Sequence, residues 1–209
     1  MTANDARDRF SAATARHLTA PLADGVTLRH VDARAWHEQI DAIWQGSQPR
    51  PGVDLRALFT PDEAARIADL DAILADRLEH RLLFESEGDV VGGYWGGQDT
   101  EGRYCMTVSV LRADWRRRGL YAALLPRVVD AATASGFREI YSRHRADNNA
   151  VLNPKLRAGF VIAAFEVAPR WGLTIHLRRY LVDAIGLVHE HRVDGAHTAA
   201  LRARGLPLP

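Results

Sequence analysis

The chain is poor in cysteine, in lysine, in long apolar runs and in net charge, and these shortages narrow what it can be. Its lone cysteine, Cys105, excludes an intramolecular disulfide and a cysteine-based zinc cluster. A formal net charge of +1 argues against a general nucleic-acid binder, which carries a large basic excess. No apolar run approaches the ~18 residues a membrane span requires. The residues from Met1 to Phe10 are polar and charged, without the apolar core of a secretion signal. The expectation is a reducing, cytoplasmic compartment with no nucleic-acid or membrane partner. Of the 27 basic residues only Lys155 is a lysine, a bias that composition accounts for in an alanine-rich chain. Lysine and arginine still differ chemically, so the position of Lys155 is worth following.

What is present suits one domain: 209 residues, 47% hydrophobic and 25% charged, enough for one well-buried core with decoration. Residues 5–18 have helical spacing through Phe10, Ala13, His17 and Leu18 and predict a helix before Pro21. Residues 26–31 alternate as a strand, and Asp32 can cap a helix over 33–44. Residues 47–52, with Pro49 and Pro51, read as a loop. Thr60-Pro61-Asp62-Glu63 combines a cap, a first-turn proline and a capping-box Glu, predicting a helix to about Leu78. The period then changes: 81–85, 90–96 and 103–111 read as consecutive antiparallel strands. In the third, Tyr104, Met106, Val108 and Val110 alternate with Cys105, Thr107 and Ser109, predicting two constant faces. A helix over 120–134 closes at Gly136, with a kink expected at Pro126. A strand over 139–144, a short helix over 148–158 and strands over 160–167 and 173–180 follow, then a weaker helix over 182–189. The order predicts a mixed sheet with helices on both faces.

Chemistry concentrates at Arg116-Arg117-Arg118-Gly119-Leu120-Tyr121, between the third of those strands and the helix after it. A strand that breaks into a glycine-bearing turn and opens a helix leaves backbone N–H groups unpaired and pointing one way. The helix dipole adds positive potential, so such a turn can cradle a phosphate or pyrophosphate. A solvated charge cluster is the competing reading of the arginines, and their place at a strand-to-helix junction weighs against it.

This segment resembles the signature Q/R-x-x-G-x-G/A of the GNAT superfamily of N-acetyltransferases, with Tyr121 departing from the final small residue. Leu111-Arg112-Ala113-Asp114-Trp115-Arg116 is similar to the family's approach to that turn, with Ala113 in place of Pro. Asn148, eleven residues before Gly159-Phe160, resembles its Asn-bearing helix followed by G-F. The resemblance implies a mostly antiparallel α+β sheet of about six or seven strands flanked by helices. The acetyltransferase core would span 26–180, with a helical extension over 1–20 and a C-terminal extension over 181–209, in a single domain. It also implies acetyl-CoA, or another acyl-CoA, as co-substrate with no metal. Its pantetheine arm would lie along the backbone near Val110 and Leu111. Its pyrophosphate would lie against the amides of Arg117, Arg118, Gly119, Leu120, Tyr121 and Ala122, with Arg116 and Asn148 completing the cleft.

The implied reaction is direct attack by a primary amine of a small molecule on the thioester, with the N–H of Leu111, or next Val110, stabilising the oxyanion. The family's usual acid, a Tyr four residues before the G-F glycine, is replaced here by Lys155. A buried lysine ammonium can protonate a thiolate. Tyr141 and His144 are the other acid/base candidates, three apart on one strand and hence on opposite faces. Glu166 and His176 are further possibilities. Acceptor walls would come from Trp36, Trp44, Tyr94, Trp95 and Trp171, and Arg50, Arg56 and Arg66 would suit an anionic acceptor. His189-Glu190-His191 points only faintly to a metal. A homodimer is compatible with the resemblance. The alternative to an enzyme is a non-catalytic CoA-binding or sensor module that keeps the turn and has lost the acid.

Overall fold

Local signals placed most of the elements. The computed structural model describes residues 2–47, 54–73, 76–100 and 102–205, so all but the first residue of the expected 47–52 loop, Arg50 included, and the last four residues lie outside the described part. Thr2 and Asp5 form a capping box at the head of α1 (Ala3–His17). After β1 (Thr27–His30), Asp32 accepts from Ala35 N–H at 2.8 Å and opens α2 (Ala33–Ser47). Thr60 and Glu63 cap α3 (Pro61–Ile73) as expected. That helix does not reach Leu78, whose carbonyl accepts from Gln98 N–H at 2.8 Å and thus belongs to the sheet.

The meander follows as β2 (Glu79–Ser86), β3 (Asp89–Gln98) and β4 (Arg103–Leu111). Next come α4 (Leu120–Ser135), β5 (Glu139–Arg145) and α5 (Asn149–Arg157). The chain continues with β6 (Val161–Ala168), β7 (Gly172–Tyr180), α6 (Asp183–Asp194) and α7 (Thr198–Ala203). Helix α4 runs unbroken through Pro126, held by buried Leu124, Leu125, Val128 and Val129. Helix α5 likewise runs through Pro154.

The seven strands form one sheet in the order β1-β2-β3-β4-β5-β7-β6, antiparallel except for β4 and β5. Its larger core joins α1 and α4 to one face through Phe10, Leu82, Phe84, Leu124, Ile140 and Leu177. On the other face Trp36 and Ile40 of α2 pack on Leu83 and Val110. Glycine in β3 permits this approach: a Cβ on Gly93 would lie 2.6 Å from Ile40 Cδ1.

The expected constant faces of β4 are corrected by a bulge. Trp95 pairs with Val108 but Gly96 pairs with Met106, which leaves Thr107 as an extra residue. Tyr104 and Met106 therefore enter the α4-side core, whereas Val108 and Val110 turn to the α2 side.

Candidate active site

The parallel pairing of β4 and β5 covers only Arg103↔Glu139, Tyr104↔Ile140 and Cys105↔Tyr141. Beyond Cys105 and Tyr141 the two strands separate, and β5 continues against β7 alone. A wedge opens through the middle of the sheet. Arg112 N–H bonds to Val91 O at 2.9 Å, so by antiparallel alternation Val110 N–H also faces β3, and Leu111 N–H faces the wedge. Leu111 O is likewise free of β3 and accepts from Arg116 Nε at 3.3 Å.

At the open end of the wedge, β4 leads through the 3-10 turn Ala113–Trp115 into the arginine turn. Arg117 (φ 63) and Gly119 (φ 79) both adopt left-handed backbone, which folds the chain back into α4. The first helical hydrogen bond is Ala123 N–H to Gly119 O at 2.9 Å, so the amides of Leu120, Tyr121 and Ala122 point out of the helix end. No side chain caps it. Two of the arginines build the turn rather than face a ligand. Arg116 reaches Leu111 O, and Arg118 Nε donates to Asp114 O at 3.2 Å with its guanidinium 4.3 Å from the Trp115 ring. Arg117 is exposed, with no hydrogen bond or ion pair among the described residues. Tyr121 packs inward against the core, so its bulk stays away from the helix end. Asn148 sits at the head of α5 without using its side chain as a cap.

Lys155 projects from α5 within electrostatic range of Cys105, the last β4 residue paired with β5. It is 1% exposed, its Nζ has no hydrogen-bond partner among the described residues, and it lies 5.1 Å from the Phe160 ring centre. Burial lowers its pKa to about 7, offset in part by the Cys105 thiol. His144 Nε2 and Ser142 Oγ, on the α5-facing side of β5, are also buried without partners. His144 is pushed down to about 3, first by burial and then by the Lys155 charge. Lys155 and His144 are thus brought together, and the alternation of β5 sends Tyr141 to the opposite face.

There Tyr141 donates its hydroxyl to His176 Nδ1 at 3.1 Å, and His176 Nε2 lies 2.8 Å from Glu166 Oε2. The sequence suggested these residues singly, and their cross-strand register is what joins them. Of the expected walls, Trp44 meets Trp171 edge-on at 6.4 Å, where α2 ends beside the β6–β7 turn. Trp36 and Tyr94 are core residues instead, 3% and 0% exposed. Arg56 and Arg66 are solvent-exposed. His189 and His191 are on a helix and bond to Tyr180 and Ala196, and no group of three metal-ligating side chains occurs among the described residues. No helix among the described residues is long and apolar enough to cross a membrane.

The sequence profile of the acetyltransferase (GNAT) family matches residues 37–160. No curated protein sequence matches the chain. Among solved structures, Ard1 of Thermoplasma volcanium is 18% identical, with a TM-score of 0.55 over 75% of this chain and 98% of its own. The ribosomal-protein-S18-alanine N-acetyltransferase of Escherichia coli is 15% identical, TM-score 0.54, over 75% and 94%. The yncA protein of Salmonella typhimurium, solved with its cofactor acetyl-CoA, is 20% identical, TM-score 0.53, over 76% and 95%. These likenesses concern the fold.

Proposed function

The chain belongs to the acetyltransferase (GNAT) family and is an N-acetyltransferase of that type, and from this premise we propose that it moves an acetyl group from acetyl-CoA to a primary amine of a small molecule. The observation that carries the reading is Lys155, a buried cation without a hydrogen-bond partner among the described residues, close enough to interact with Cys105, the last β4 residue paired with β5. Leaving a buried charge unpaired costs several kcal/mol, a cost expected of a group with a task. With a pKa of about 7 it is present both as ammonium and as amine near neutrality, which suits proton delivery to a departing thiolate.

The residues fit the co-substrate. The amides of Gly119 to Ala122 and exposed Arg117 would hold its pyrophosphate, with Asn148 beside them. Leu111 N–H, rather than Val110 N–H, faces the wedge and is free to donate to the co-substrate's arm. Acetyl-CoA supplies the activated acyl carbon, and the chain orients it and moves protons. The Trp44–Trp171 contact bounds the space on the α2 side and supports a small acceptor.

Incubating the protein with acetyl-CoA and a panel of small primary amines, while following free thiol, tests the transfer. Release with one class of amine is expected. Tight CoA binding with no release from any amine would leave a sensor module instead. Gly119→Glu places an anion at the helix end and a side chain on left-handed backbone, so CoA affinity should fall by on the order of 100-fold. Titration calorimetry on the folded variant reads this, and unchanged affinity would displace the cofactor from the turn. We also propose that β6 pairs with a second copy. It is an edge strand with Phe165 and Val167 exposed, and light scattering should give twice the chain mass.

A further inference from the structure

We infer that Tyr141, His176 and Glu166 form a proton relay that takes the proton from the acceptor amine, so that acid and base work from opposite faces of the sheet. The inference rests on the proposed acetyl transfer and adds the base to it.

Hydrogen-bond chemistry fixes the direction of the relay. A carboxylate only accepts, so His176 Nε2 carries the hydrogen that faces Glu166 Oε2 at 2.8 Å. In the neutral ring Nδ1 is then bare and accepts from the Tyr141 hydroxyl at 3.1 Å. Arg143 Nη1 donates to the same Glu166 oxygen at 2.9 Å. Together with His176 it keeps the carboxyl below its ordinary range and ionised. Burial raises the Tyr141 hydroxyl, so it stays protonated at neutral pH and serves as a conduit instead of a standing phenolate. The other groups around it are Arg103, whose guanidinium lies 4.7 Å from its ring, the Cys105 thiol and Arg178 across the β5–β7 pair.

Register puts this chain of groups where an amine would arrive. Tyr141 is the last β5 residue paired with β4, opposite Cys105, so it stands at the apex of the wedge. Its face is the α2 face, shared by Cys105 and Gly97 across the strand pairs. An open depression of about 250 Å³ borders that face on the β2–β4 side, lined by Glu79, Trp95, Asp99 and Cys105 among others, and Tyr141 adjoins it through its strand partner Cys105. It has room for a small amine. Lys155 is on the other face, with His144.

In the reaction Tyr141 Oη takes the N–H proton and passes its own to His176 Nδ1, and Glu166 holds the resulting imidazolium. The new N–C bond replaces the C–S bond, and Lys155 gives its proton to the departing sulfur. Solvent then takes one proton from His176 and returns one to Lys155.

The test is the pH dependence of kcat/KM for the amine that releases most thiol in the panel, together with CoA affinity by calorimetry. Tyr141→Phe should lower kcat/KM by about 100-fold while CoA affinity stays at the wild-type value. His176→Gln should abolish the limb that rises with pH. Glu166→Gln, which leaves the imidazolium without its anion, should lower kcat/KM by about 10-fold. A purely structural ladder across β5, β7 and β6 would change neither the limb nor the rate. Wild-type rates and an unchanged profile in Tyr141→Phe and His176→Gln, with CoA bound normally, would overturn the relay alone. A wild-type protein that binds CoA yet acetylates no amine would overturn the transfer reading, and the relay with it. If Tyr141→Phe does not fold, the limb in His176→Gln decides.

Discussion

Lys155 shows what a single residue can cost and supply. Its folded pKa is about 7 against an ordinary value of 10.5, so the unfolded chain binds more protons between those values. The destabilisation is therefore complete below pH 7, shrinks as pH rises, and vanishes above 10.5. It amounts to a few kcal/mol in order of magnitude. Lys155→Met, similar in length and uncharged, should raise the melting temperature at pH 7, with the gain fading towards pH 10.5. The same variant should lose ~10- to 100-fold in acetyl transfer. Scanning calorimetry and thiol release on one preparation check both halves, and a variant that is neither more stable nor slower would remove the lysine from the mechanism. The place of Lys155, four residues before Gly159, was legible in the sequence. Its burial was not, because desolvation is set by Phe160, His144 and the sheet closing over it.

At the scale of elements, short-range chemistry and long-range pairing divide the work. The Thr60–Glu63 box and the left-handed glycine closing α4 at Gly136 act within a few residues, and the sequence displayed both. The bulge at Thr107 depends on the partner strand, and nothing in the alternation of 103–111 announced it. One extra residue exchanged the faces of Val108 and Val110, which let α2 dock on Val110. The docking is close enough to test. Gly93→Ala would place a methyl group 2.6 Å from Ile40 Cδ1 and should destabilise by roughly 1–3 kcal/mol. Urea denaturation measures it, and pairing the change with Ile40→Val should recover part of the loss. No recovery would mean that the strain is taken up elsewhere.

For the whole molecule, the buried histidines set the acid limit. His80 is pushed down to about 3 by burial, then by His30, and it sits between Thr14 Oγ1 at 2.7 Å and the Tyr104 hydroxyl at 2.8 Å. His144 also lies at about 3. Both are neutral in the fold and take up a proton on unfolding below their ordinary value of 6.5. Stability should thus fall as pH drops from 6.5 towards 3, by roughly 1.4 kcal/mol per pH unit for each histidine. Melting temperatures should decline from pH 6.5 towards 5, and above pH 7 they should climb with pH as Lys155 loses its charge in the fold. The decline should become shallower in His144→Gln, and a flat acid side would show that these rings are hydrated in solution.

The sequence by itself determined the order of the elements, the glycine-bearing turn at Arg116 to Tyr121, and the spacing of Asn148, Lys155 and Gly159-Phe160. Each of these depends on dihedral preference, capping or backbone donors within one or two turns of chain. Tertiary structure alone decided which faces of β4 and β5 the side chains took and that Lys155 lost its water. It also joined Tyr141 to His176, 35 residues away, and through it to Glu166. Strand register and burial are properties of pairs of segments, and no single segment carries them.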